Sequence, residues 1–218
     1  MKKLKLINLL CLCGVISIVF YLLHDIIGAI NYPGYNWMSQ AVSDLTAADA
    51  KSFVVASGFT TVYKILHCLA LTLVCILVKD ERKTLRIGIY LYTVMSFISS
   101  IGYALFPLSS AGYDGTVQSF IHVYVVSIIV VLLSIISLVI IAIGAFKSNY
   151  KLLGIFAIFS LCLMFIGAVG SQIVPKEIFG IIERFSTYSA VIFNGVLGIF
   201  GFLKNDEKYQ GNKKAEEV

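Results

Sequence analysis

Apolar residues in this chain gather in six long blocks, at 6–28, 53–78, 87–106, 120–146, 152–174 and 181–203, separated by shorter polar stretches. At 1.5 Å of rise per residue, each block is long enough to cross about 30 Å of hydrocarbon as an α-helix. The pattern therefore predicts an all-α fold: a polytopic membrane bundle of about six transmembrane helices. The connecting stretches are unequal. Those after the second and fourth blocks are short, whereas the one at 31–52 runs about 20 residues, a length that in a compact protein signals function or disorder. It holds Pro33, Gly34, Ser43, Asp44 and Asp49, and its aromatic residues Tyr32, Tyr35 and Trp37 favour an ordered lid at the headgroup level. A second, glycine-rich loop spans 107–116, and no internal repeat is visible.

Composition supports a lipid-embedded chain. Of 218 residues, 59% are hydrophobic and only 13% charged, against roughly 25% charged in a soluble domain. No polar stretch is long enough to be a soluble domain, so one membrane domain at 1–204 is expected, followed by a disordered cytoplasmic tail at 205–218 of mixed charge. Lys2, Lys3 and Lys5 ahead of the first block resemble a secretory signal, but the apolar run is too long and lacks a convincing small-x-small cleavage site, so it reads as a retained helix.

The basic residues orient the bundle. With the amino terminus inside, thirteen of the seventeen Lys and Arg fall on cytoplasmic segments, leaving Lys51, Lys64, Lys176 and Arg184 outside or within helices. Both ends are thus expected in the cytoplasm, and the protein in the plasma membrane. Short basic loops suit anionic lipid headgroups and offer no surface for nucleic acid. Cys11, Cys13, Cys68, Cys75 and Cys162 all lie in apolar blocks, where they serve as small filler rather than as a disulfide framework.

On that topology the ionisable groups away from the cytoplasm collect in the outer half. His24 and Asp25 close the first helix, Lys64 and His67 lie one turn apart in the second, His122 opens the fourth and Glu183 with Arg184 opens the sixth; Ser43 and Asp44 come from the long loop. Charge at bilayer depth must face protein or water, so these residues predict a wet cavity open to the outside. Three histidines suggest zinc, but no HxxxH or HExxH spacing is present and His67 lies deeper than His24 and His122, so no metal or other cofactor is expected. Ser43 or Ser39 with a histidine and Asp44 has the composition of a nucleophilic site; the plainer reading of Ser43-Asp44 is a helix N-cap. Glu183 and Arg184 diverge by 100° on a helix and should reach different partners. Gly167, Gly170, Gly195, Gly198 and Gly201 fit close helix packing, with Asn194 available for an interhelical hydrogen bond.

These residues, in this order, resemble a prokaryotic family of six-helix membrane proteins catalogued as domain of unknown function 998. The likeness rests on His24, the loop Tyr32-Pro33-Gly34-Tyr35 leading to Met38-Ser39-Gln40-Ala41-Val42-Ser43-Asp44-Leu45, the helix end Gly102-Tyr103-Ala104-Leu105-Phe106-Pro107, then His122 and Glu183-Arg184. It implies a shared fold and an outer polar cluster, without an activity. A looser likeness links the serine, aspartate and histidine set to zinc-dependent ceramidase-type hydrolases, whose paired carboxyl-terminal histidines and seventh helix are missing here. The leading expectation is a cavity, lidded by 31–52, that binds a small amphiphilic or lipid-like ligand. The alternatives are a lipid or amide hydrolase using the same cluster, and a transporter or its accessory subunit, the latter disfavoured by the lack of inverted repeats. The oligomeric state is left open.

Overall fold

The computed structural model describes residues 5–109 and 112–204; the tail expected at 205–218 lies outside the described residues. Among these residues six helices are long and apolar enough to span a membrane. They are α1 (Leu6–Ile30), α2 (Phe53–Leu77), α3 (Lys83–Leu105), α4 (Val117–Lys147), α5 (Lys151–Gly170) and α6 (Phe179–Leu203). The protein is a multi-pass membrane protein of all-α class. Several boundaries differ from the apolar blocks because the helices recruit polar first turns. α3 begins at Lys83, and α4 begins at Val117, where the Thr116 hydroxyl accepts the Ser119 N–H as an N-cap. α5 stops at Gly170, and the rest of its block forms turns ahead of Pro175, which has no N–H to continue a helix.

Each helix packs on its chain neighbours, and α6 closes the ring against α1 while also touching α2. The burial pattern inverts that of a soluble protein. Large aliphatic residues such as Ile16, Val19, Leu132, Ile136, Ile155 and Phe159 are exposed, whereas Ser17, Thr93, Ser96, Ser134, Ser137, Ser160 and Asn194 are buried. Lipid accepts the outer aliphatic coat, while the inner hydroxyls satisfy themselves on carbonyls of the preceding turn, as Ser134 does on Val130 and Thr93 on Ile89.

The two ends of the bundle are built differently. Toward the basic end, which carries the α2–α3 and α4–α5 turns, Leu71, Val74, Ile89, Leu138, Ile141 and Leu197 form a closed apolar core. Glu81, Tyr150 and Lys204 tie the two turns to the end of α6 through a shared ion pair and hydrogen bonds. Toward the other end, here termed the loop end, the helices part around a cavity whose floor is Tyr92, stacked edge-on against Phe193 at 5.1 Å and bonded to the Ala190 carbonyl at 3.0 Å.

Close helix crossing depends on missing side chains. At the α3–α4 contact, a Cβ on Gly88 would sit 2.7 Å from the Ile141 backbone nitrogen. Gly88→Val is therefore expected to cost about 1–3 kcal/mol through overpacking, read as a lower midpoint in a size-exclusion thermal-stability assay. Gly58→Ala, whose Cβ meets nothing within 4 Å, should leave the midpoint unchanged, and equal behaviour of the two would contradict the packing account.

Candidate functional site

The loop end is organised by one buried guanidinium. Arg184, in the second turn of α6, is 6% exposed and faces Asp25 of α1, 8% exposed. Its Nε and Nη2 donate to the two carboxylate oxygens of Asp25 at 2.9 and 2.8 Å, a bidentate pair that the planar guanidinium fork matches. The other donors hold the long loop: Nη2 reaches the Tyr35 hydroxyl at 2.7 Å, and Nη1 reaches the carbonyls of Trp37 and Gln40 at 2.9 and 3.1 Å. The Tyr188 hydroxyl adds a third donor to Asp25.

The backbone seals the same contact. The Gly180 N–H donates to the Met38 carbonyl at 2.8 Å, so the loop supplies an acceptor for the otherwise free N–H groups at the start of α6. Gly180 carries no side chain at a point where a Cβ would collide with the carbonyls of Trp37 and Gln40. Tyr35, half-buried in this knot, passes its own proton to the Ala41 carbonyl, and burial pushes its hydroxyl up to about 12. The segment at 35–41 is thereby ordered across the loop end. Beyond it the chain enters a 3-10 turn, Val42–Thr46. Ala41 occupies the cap position, so the expected capping role of Ser43-Asp44 is not found; the free N–H of Val42 points instead to the Glu183 carboxylate, at 3.4 Å.

Beneath this lid lies a cavity of about 760 Å³, within the ~300–1,000 Å³ of small-molecule sites. Of the residues singled out from sequence, His24, Ser43, Asp44, Lys64, His67, His122 and Glu183 line it. Asp25 and Arg184, expected in the same cavity, do not. Their charges cancel in the knot beside it, where every guanidinium direction is used for structure. Glu183 and Arg184 accordingly serve different partners, Glu183 also accepting the Thr187 hydroxyl at 2.9 Å. At the mouth, burial raises the Asp44 carboxyl above its ordinary range.

The three histidines are held in different ways. His67, 3% exposed, donates from Nδ1 to the Tyr63 carbonyl at 2.9 Å. A carbonyl only accepts, so this contact places the proton on Nδ1 and leaves Nε2 as an acceptor, 3.2 Å from the Ser100 hydroxyl. His122 lies in a π-helical segment of α4, Ile121–Val126, and likewise donates from Nδ1 to a carbonyl, that of Phe106. Each of these rings lies over a tyrosine, Tyr63 at 4.4 Å and Tyr103 at 4.6 Å between centroids. His24 is 2% exposed, yet neither of its ring nitrogens has a hydrogen-bond partner. No group of three or more His, Cys, Asp or Glu side chains able to hold a metal ion occurs among the described residues.

Neither Ser43 nor Ser39 bonds a histidine through its hydroxyl among the described residues; the serine that does is Ser100, which sequence reading overlooked. A signal for it exists in α3, where Ser96, Ser99, Ser100 and Tyr103 recur at helical spacing in an otherwise apolar span and all line the cavity. Similar stripes occur on α2, with Ser57, Thr60, Lys64 and His67, and on α6, with Glu183, Thr187 and Asn194. Asn194 donates to the Tyr63 hydroxyl at 3.1 Å, joining α6 to α2 near the cavity floor.

A family model described as protein of unknown function (DUF998) matches residues 15–199, a stretch that takes in the knot, the lid and every helix that lines the cavity. No curated protein and no solved structure matches the chain.

The knot makes a sharp prediction. Arg184→Ala leaves Asp25 buried without a counter-charge and should cost about 3–5 kcal/mol, while Arg184→Lys, which keeps the charge but loses the fork, should recover only part of it. Thermal unfolding in detergent measures the loss. Hydrogen exchange at 35–42 should rise in both variants, and wild-type protection there would mean that the lid is held by something else.

Proposed function

The chain belongs to the DUF998 family of unknown function, and from that premise we propose that it binds a small amphiphilic or lipid-like molecule in the cavity under the 31–52 lid. The observation that carries this reading is the pairing of two surfaces in one space. Met95, Val130, Val131, Ile135, Met164 and Phe165 supply apolar lining, and the polar stripes of α2, α3 and α6 supply hydrogen-bonding groups to the same space. The packed apolar core below the floor favours a pocket over a through-path, which weighs against the transporter alternative. In this reading the mouth opens on the non-cytoplasmic side of the plasma membrane, an orientation that the positive-inside distribution of Lys and Arg supports.

Native mass spectrometry of the purified protein in mild detergent, with lipid extraction of the same sample, tests the reading. Wild type should retain an amphiphile in near-stoichiometric amount. The triple variant Asp44→Ala, His67→Ala and His122→Ala, and separately Ser134→Phe, which fills the cavity from α4, should retain at least about tenfold less. Unchanged retention in both would overturn the proposal.

The contact between Ser100 and His67 favours a second reading, acyl transfer by a serine whose proton passes to an oriented imidazole. It ranks lower because the backbone N–H groups around Ser100 are spent within α3, leaving no ready donor pair for a developing oxyanion. A fluorophosphonate probe decides: formation of an Oγ–phosphorus bond with loss of fluoride should label wild type and fail in Ser100→Ala. An unlabelled wild type removes the hydrolase reading.

A further inference from the structure

We propose that the cavity's polar pole, formed by Lys64 and His24, receives the acidic head of the bound amphiphile, a carboxylate or a phosphate, with its chain lying along the α3–α4–α5 wall. This rests on the binding reading above and narrows it to a charge class. Lys64 lies ~16 Å along α2 from Phe53, lines the cavity and makes no hydrogen bond or ion pair among the described residues. The titratable groups that feel its charge are His24, His67 and Cys68, none of them a carboxylate.

The carboxylates of the loop end are already engaged elsewhere. Asp25 is taken by Arg184 and Tyr188, Glu183 accepts from Thr187 and the Val42 N–H, and neither these two carboxylates nor Asp44 forms an ion pair with Lys64 among the described residues. An ammonium at this depth with apolar walls opposite lacks the counter-charge that a buried cation requires.

His24 points to the same acidic group independently. It is 2% exposed, lines the cavity and has both ring nitrogens unpartnered, although buried polar atoms are almost always bonded. One acidic group seated between α1 and α2 would accept from Lys64 and from the His24 ring together. A neutral head would satisfy the imidazole but leave the ammonium unmatched, so charge is what this pole selects.

The test uses full-length protein in detergent and four probes: oleate, oleoyl lysophosphatidic acid, oleyl alcohol and inorganic phosphate. In wild type both acids should bind at least about tenfold more tightly than the alcohol, the ratio expected of one charge-assisted contact. Lys64→Met, which keeps most of the side-chain length, should bring the affinities for acid and alcohol to within about twofold of each other; His24→Phe should reduce the ratio in the same direction. Equal binding of acid and alcohol in wild type, or a ratio that survives Lys64→Met, overturns the acidic-head assignment and leaves the cavity reading standing. Binding of none of the three amphiphiles overturns both. Displacement of lysophosphatidic acid by millimolar inorganic phosphate identifies the occupant as a free anion and overturns the amphiphile assignment.

Discussion

A single arginine in the second turn of α6 holds the long loop over the cavity of this bundle. Arg184 cannot be left unpaired in a low-dielectric interior, and Asp25 on α1 cannot either; each is tolerable only because of the other. Their bidentate contact joins the first and last helices, and the donors left over on the guanidinium collect three groups from a loop that has little regular structure of its own. A stretch of chain that would otherwise cost conformational entropy to order is thus held by a charge that needed partners in any case. The missing side chain at Gly180 lets the backbone close to hydrogen-bonding distance.

The rest of the loop end follows from lipid as solvent. Because aliphatic side chains gain nothing by turning inward, the inside of the bundle is free to be small and polar, and hydroxyls such as those of Ser134 and Ser96 donate to carbonyls of their own helices. The helices converge tightly where glycines and alanines meet and separate where the polar stripes face each other. The π-helical segment at Ile121–Val126 sits where α4 lines the cavity, and the Ser127 hydroxyl, donating to the His122 carbonyl at 2.8 Å, stitches that wider turn.

Much of this was legible in the sequence. The six spans followed from apolar length, and the glycines of α5 and α6 from the needs of close packing. The grouping of ionisable residues at one end was visible because topology turns chain position into depth. What escaped was partnership. Asp25 and Arg184 carried the same label as His24 and Lys64, since a sequence cannot say which of two buried charges has already met its opposite across 159 positions. Ser100 escaped for a related reason: a serine in an apolar helix is usually bonded to its own backbone, and only the placement of His67 on the neighbouring helix distinguishes it. The Ser43-Asp44 pair misled because Glu183, far along the chain, supplies the acceptor that a local side chain was expected to provide.

The floor of Tyr92 and Phe193 has a kinetic corollary. Were the cavity to hold the amphiphile proposed for it, that floor would close the way toward the basic end, so loading and unloading would share the openings above it. Residence time would then depend on how readily those openings part, whereas the depth of the chamber would govern how much apolar tail is shielded meanwhile. In such a chamber the openings set tempo and the walls set taste, and evolution can retune one without disturbing the other.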